Sequence, residues 1–170
     1  YNGMVAPLVP YALRGAIWYQ GESNAGNHAE YYELFSAMIR DWRSAWGQGD
    51  FPFLFVQLAN FMAVQAAPEE SFSGWPQVRE AQTQTLSEPA TGMAVITDIG
   101  DAGNIHPKDK KTVGERLALA AYAKAYGKTL VYSGPMFQRV EIKKGKALVR
   151  FDHVGSGLVA QGTTLDGFAV

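Results

Sequence analysis

The chain has 170 residues, 47% hydrophobic and 18% charged, with a formal net charge of −1. That balance supports a buried core, excludes a disordered chain and leaves no basic stripe for nucleic acid. No apolar run reaches the ~20 residues of a bilayer span, and the absence of Cys excludes disulfides, thiolate metal sites and a cysteine nucleophile.

Residues 14–19 (Arg-Gly-Ala-Ile-Trp-Tyr) form a short apolar run ending at Gln20-Gly21, which reads as a buried strand followed by a loop. His28 to Trp46 reads as a helix, because Tyr31, Leu34, Phe35, Met38, Ile39, Trp42 and Trp46 recur at helical spacing. Asn27 is its expected N-cap and Gly47 its stop. Phe53 to Leu58 is a second strand, 63–74 a loop, and Pro76 to Leu86 a helix with proline in its first turn. Met93 to Thr97 is a third strand, Asp98 to Pro107 a polar loop, and Lys110 to Tyr126 a helix closed by Gly127. Such alternation predicts an α/β fold, a parallel sheet flanked by helices. From Ser133-Gly134-Pro135 onward the pattern turns β-rich: Phe137 to Ile142 and Ala147 to Phe151 read as a hairpin through Lys143-Lys144-Gly145-Lys146, with more strand over 158–170. The predicted division is 1–132, an α/β domain, and 133–170, the start of a β-rich domain.

Ligands of parallel sheets bind beyond the carboxyl ends of the strands. Two polar loops lie there, 20–27 and 98–106. His106, in Asn104-Ile105-His106-Pro107 and close to Asp98 and Asp101, has two readings: a helix-capping or core histidine, or a general base whose tautomer a carboxylate fixes. Gln20-Gly21 is either a turn or a pair of donors for an oxyanion hole. Gly21-Glu22-Ser23-Asn24-Ala25 is one substitution from a Gly-x-Ser-x-Gly nucleophile elbow, but an elbow needs the helix to begin at the serine, and the helical periodicity begins only near His28. His28, His106 and His153 are scattered without metal-ligand spacing. Four Trp, eight Tyr and nine Phe either fill the core or stack on sugars.

Trp18-Tyr19-Gln20-Gly21-Glu22-Ser23-Asn24, the run Phe53 to Ala59 (Phe-Leu-Phe-Val-Gln-Leu-Ala) and Ile105-His106-Pro107 resemble the sialate O-acetylesterase family. Asn2-Gly3-Met4 with Pro7-Leu8, Arg79-Glu80-Ala81-Gln82 and Gly134-Pro135 fit it in the same order, nearly end to end. The resemblance implies a flavodoxin-like SGNH hydrolase sheet, a β-rich domain after it, an acetylated sugar as substrate and no metal or organic cofactor. It places the family's catalytic histidine at His106 and its oxyanion-side residues at Gln20 and Gly21. Trp18, Glu22, Ser23 and Asn24 are then expected at the substrate. The family's nucleophile is a serine in Gly-Gln-Ser-Asn, a motif these residues do not contain. Where many SGNH enzymes carry an aspartate three residues before the histidine, Gly103 stands here. The acid is then expected from Asp101, with Asp98 or a backbone carbonyl as alternatives.

The expected activity is therefore deacetylation of a glycan by a serine–histidine acyl-enzyme route, with the nucleophile outside this chain. A non-catalytic sugar-binding remnant is the alternative. Both ends read as cuts, so association with an N-terminal segment, or self-association, is expected. The resemblance favours a periplasmic or secreted location; no nucleic-acid or membrane partner is expected.

Overall fold

The computed structural model describes residues 1–65, 74–160, 162–163 and 167–168. Three strands, β1 (Ala16–Trp18), β2 (Phe53–Val56) and β3 (Thr91–Ala94), form a parallel sheet in the order β1-β2-β3. Ala16 stands opposite Phe53, and Phe53 opposite Thr91, so all three strands end at one edge. Every residue of β2 and β3 is buried, and β2 accordingly reads as an uninterrupted apolar run rather than an alternating one. The helices are α1 (Tyr31–Trp46), α2 (Trp75–Gln84) and α3 (Lys110–Lys124).

The helix α1 buries Tyr31, Phe35, Ile39 and Arg43, one residue per turn, against the sheet. Phe35 meets Phe55 edge-on at 5.1 Å between ring centres, and Trp42 meets Phe53 at 5.9 Å. Burying such rings supplies much of a small domain's stabilisation, at roughly 25 cal/mol per Å². Arg43 is buried at the opposite end of the sheet from the strand termini. Its guanidinium donates to the carbonyls of Phe51, at 2.9 and 3.2 Å, and of Pro89, at 2.7 Å. It thereby joins the residues that lead into β2 and β3.

The three expected sheet strands and their helices are present, with shifted ends. The third strand was expected over 93–97 but pairs over 91–94. The ladder stops there because the chain after Val56 turns away: Gln57 N–H still donates to Ala94 O, but Leu58 N–H goes to the side chain of Gln82 at 2.9 Å. Ile96, past the last pair, stays fully buried by packing alone. The first helix was expected from His28 with Asn27 as cap. Instead α1 begins at Tyr31, after a 3-10 segment over Glu22–Glu30 broken at Asn27 (φ −134°, ψ 40°). Asn27 caps no backbone N–H; its side-chain amide donates to Glu30 Oε2 at 2.9 Å. The α2 N-cap is Gly74, with φ +65° and so close to the preceding 3-10 segment that a Cβ would collide with the Ala25 carbonyl oxygen.

The β-rich part is an antiparallel hairpin, β4 (Met136–Lys143) and β5 (Lys146–Asp152). Its two-residue turn has positive φ at both Lys144 (51°) and Gly145 (71°), the primed turn whose twist matches the strands. The further strand expected over 158–170 is absent from the described residues there, and 161, 164–166 and 169–170 lie outside them. A three-stranded parallel sheet flanked by helices and followed by a β region is the SGNH-type α/β arrangement.

Candidate active site

The loop after β1 is wedged between α1 and α2. Gly21 is buried with φ +147°, and a Cβ there would press on Gln82 Nε2, Val78 Cγ1 and the Tyr31 hydroxyl, all at 3.2–3.3 Å. The Gln20 carbonyl accepts from the Tyr31 hydroxyl at 2.9 Å and from Gln82 Nε2 at 3.2 Å. The Gln20 amide nitrogen donates to Asn24 Oδ1 at 2.6 Å. Gln82 is 1% exposed, and its other amide atom receives Leu58 N–H, so one side chain links the ends of β1 and β2. The sequence held Gln82 only as part of the Arg-Glu-Ala-Gln run; nothing in its spacing indicated that role.

The two polar loops converge. Glu22 and Ser23 from the first, with Tyr19 just before it, and Ile105 and His106 from the second, with Pro107 and the α3 residue Lys110 after it, line one cavity of about 520 Å³. His106 is exposed there, between buried Pro107 and the half-buried Ile105, and its backbone N–H is held by Asn104 Oδ1 at 2.9 Å. The second loop is anchored to the segment after β2: Gly100 N–H donates to Asn60 Oδ1 at 2.7 Å and Met62 N–H to Ala102 O at 3.2 Å. The Lys110 ammonium sits 4.9 Å from the Tyr19 ring centre. The Tyr19 hydroxyl is buried without a hydrogen-bond partner among the described residues, and burial, then the Glu22 charge, raises its pKa.

Other candidates lie elsewhere. Gln20, Asn24 and Trp18 line a separate depression of about 330 Å³ with Tyr31, Phe35 and Met38. The loop residues expected at the substrate thus divide between two hollows. Asp98 is gripped by Arg116 through two bonds of 2.6 and 2.7 Å, and this pairing holds its carboxyl below the usual range. Asp101 Oδ1 accepts from Gly103 N–H at 2.8 Å. Among the described residues, neither carboxylate bonds the His106 ring. Ser23 is exposed and lies in the 3-10 segment that begins at Glu22, while the α-helix itself starts later than expected, at Tyr31. No cluster of metal ligands occurs among the described residues, and no helix there is long and apolar enough to cross a membrane.

The model of the family described as "Carbohydrate esterase, sialic acid-specific acetylesterase" matches residues 2–123, a stretch that takes in both polar loops, the sheet and most of α3. The chain belongs to this family. Sialate O-acetylesterases of mouse and human are 38% and 37% identical to it over 90% of its length. A crystal structure of a carbohydrate acetylesterase from Xanthomonas citri superposes with a TM-score of 0.83 and 52% identity, covering 89% of this chain. The chain spans about a third of the lengths of these relatives: 31% of the mouse protein, 32% of the human one and 35% of the bacterial one.

Proposed function

We propose that this member of the sialic acid-specific acetylesterase family contributes the base and oxyanion side of a carbohydrate O-acetylesterase site. The observation that carries the reading is the shared cavity, in which the loop after β1 meets His106 at the carboxyl edge of a parallel sheet. In this reading His106 takes the proton of a serine hydroxyl as the oxygen attacks the acetyl carbonyl. It returns that proton to the departing sugar oxygen, then activates water to hydrolyse the acetyl-enzyme. Residues 1–170 contain no Gly-Gln-Ser-Asn, so the serine is assigned to a part of the protein beyond them. Backbone N–H groups near Gly21, with Gln20, serve the developing oxyanion. Asp101 is the assigned orienting acid, since Arg116 occupies both oxygens of Asp98.

A second reading makes Ser23 the nucleophile, because it lines the same cavity as His106 and lies in the first turn of the 3-10 segment. The open side of the sheet supports the expected association: β1 has no outer strand neighbour among the described residues, and Ile17 on it is 71% exposed. An unpaired apolar edge of this kind is a template for another strand.

The test is acetyl ester hydrolysis by the full-length protein, its His106→Ala and Ser23→Ala variants, and residues 1–170 alone. His106→Ala is expected to cost about 10⁴ in turnover, as triad knockouts do. More than a tenth of the rate retained removes His106 from the chemistry. Residues 1–170 alone are expected to be inactive; efficient turnover by them, abolished by Ser23→Ala, establishes the second reading.

A further inference from the structure

A larger cavity, about 650 Å³, opens after β2 and is walled by Asn60, Phe61, Met62, Trp75, Pro76 and Arg79. It lies at the same strand-end edge as His106, since Asn60 and Met62 are the residues hydrogen-bonded to Gly100 and Ala102 of the histidine loop. Its lining is mostly carbon. Trp75 is one of its walls, with its ring 5.4 Å from that of Phe61 and its indole N–H donating to Ala59 O at 2.7 Å. Arg79 is the only charged residue among its described walls.

The situation of Arg79 is unlike that of every other arginine in the described residues. Arg43 and Arg116 donate to carbonyls and pair with aspartates. Arg40, Arg139 and Arg150 pair with glutamates, and Arg14 donates to a carbonyl. The guanidinium of Arg79 has no hydrogen bond and no ion pair among the described residues, although it is half-buried. Its backbone is held, because Gln57 Nε2 and Thr83 Oγ1 donate to its carbonyl at 3.1 and 3.0 Å. Burial lowers its pKa, and no counter-charge among the described residues offsets that cost. A partly desolvated fork of five donors on a fixed helix, lining a mostly carbon cavity, is complementary to a carboxylate, which it can grip through two parallel bonds.

We propose that Arg79 is the residue that selects an acidic sugar, binding its carboxylate in the cavity after β2 while the carbon walls receive the ring and its substituents. This rests on the esterase reading only in assigning the ligand as an acetylated sugar. The site sets affinity and selectivity; it takes no part in bond breaking.

The test measures equilibrium binding of N-acetylneuraminate and of its uncharged methyl ester to the full-length protein and its Arg79→Gln and Arg79→Lys variants. Hydrolysis of an O-acetylated acidic sugar and of p-nitrophenyl acetate is followed in parallel. The acid is expected to bind about tenfold or more tightly than its methyl ester, the size of effect that goes with one charge-assisted pair. Arg79→Gln is expected to erase that preference and to lower the acidic-to-neutral ratio of kcat/KM by a similar factor. Arg79→Lys, which keeps the charge but loses the fork, is expected to retain part of it and covers the case of a Gln variant that does not fold. Equal binding of acid and ester by the wild type overturns the proposal, as does a melting-competent Arg79→Gln protein that keeps the preference. Preference without hydrolysis sinks the esterase reading and leaves this one standing; hydrolysis without preference does the reverse.

Discussion

The side-chain amide of Gln82 donates to the carbonyl of Gln20 at 3.2 Å, across 62 residues of chain. With its oxygen accepting Leu58 N–H, it sets the loop after β1 relative to β2. Gln82→Leu keeps the volume and leaves Leu58 N–H buried without a partner, a loss of about 1–3 kcal/mol. Urea unfolding of the full-length variant is expected to show a lower midpoint at unchanged slope. A change within about 0.5 kcal/mol, the range of an ordinary surface substitution, would show that the bond is replaceable by water.

Gln20 has two amide hydrogens, and one is committed to Asn24. In the proposed mechanism the other serves the oxyanion. Gln20→Ala is expected to lower turnover by about 10²–10³, the loss seen when one oxyanion donor is removed. Unchanged turnover with a raised KM would make Gln20 a substrate-binding residue, in keeping with its place in the neighbouring depression.

Asp98 has its carboxyl pulled down first by the hydrogen bonds from Arg116. Its folded pKa lies below its unfolded one, so the pair's contribution is complete above the unfolded value near 3.9 and is lost as pH falls through the folded value. The pair is largely exposed, which limits it to about 1 kcal/mol or less. The stability gap between wild type and Asp98→Asn is therefore expected at pH 7 and should close in acid; a gap that widens in acid would contradict the pairing. In turnover, Asp101→Asn is expected to cost more than Asp98→Asn, and the reverse order would move the orienting role to Asp98.

Gly74 has no room for a side chain, because a Cβ meets backbone, not a movable side-chain tip. Gly74→Ala must displace either the start of α2 or the Ala25 peptide, and it also forces φ +65° on a residue with a Cβ. A loss of about 1–3 kcal/mol is expected, with a fall in activity, since the Ala25 segment is continuous with Glu22 and Ser23 in the His106 cavity. Calorimetry showing an unshifted Tm would mean that the two segments separate at little cost.

The sheet and its helices were legible because β2 is a pure apolar run and α1 repeats its aromatics with the turn of a helix. The meeting of the two polar loops was legible too, since parallel strands deliver their loops to one edge. The 3-10 segment was not: Glu22–Glu30 is polar, contains glycine and has no apolar stripe, and contacts with the α2 end hold its shape. The division of the first loop between two hollows follows from the backbone at Gly21, with φ +147°, a value no residue pattern announces. Arg79 likewise stood in a recognisable run, but its lack of a partner among the described residues is a fact of three dimensions.

The sheet is fastened differently at its two ends. Arg43 clasps one end with a cation, whereas the end that carries the cavity is tied by Gln82, a neutral amide. An amide neither gains nor loses a proton across the range in which an imidazole titrates. The tether between β1 and β2 therefore carries no charge of its own to gain or lose, whereas the clasp at the far end depends on one.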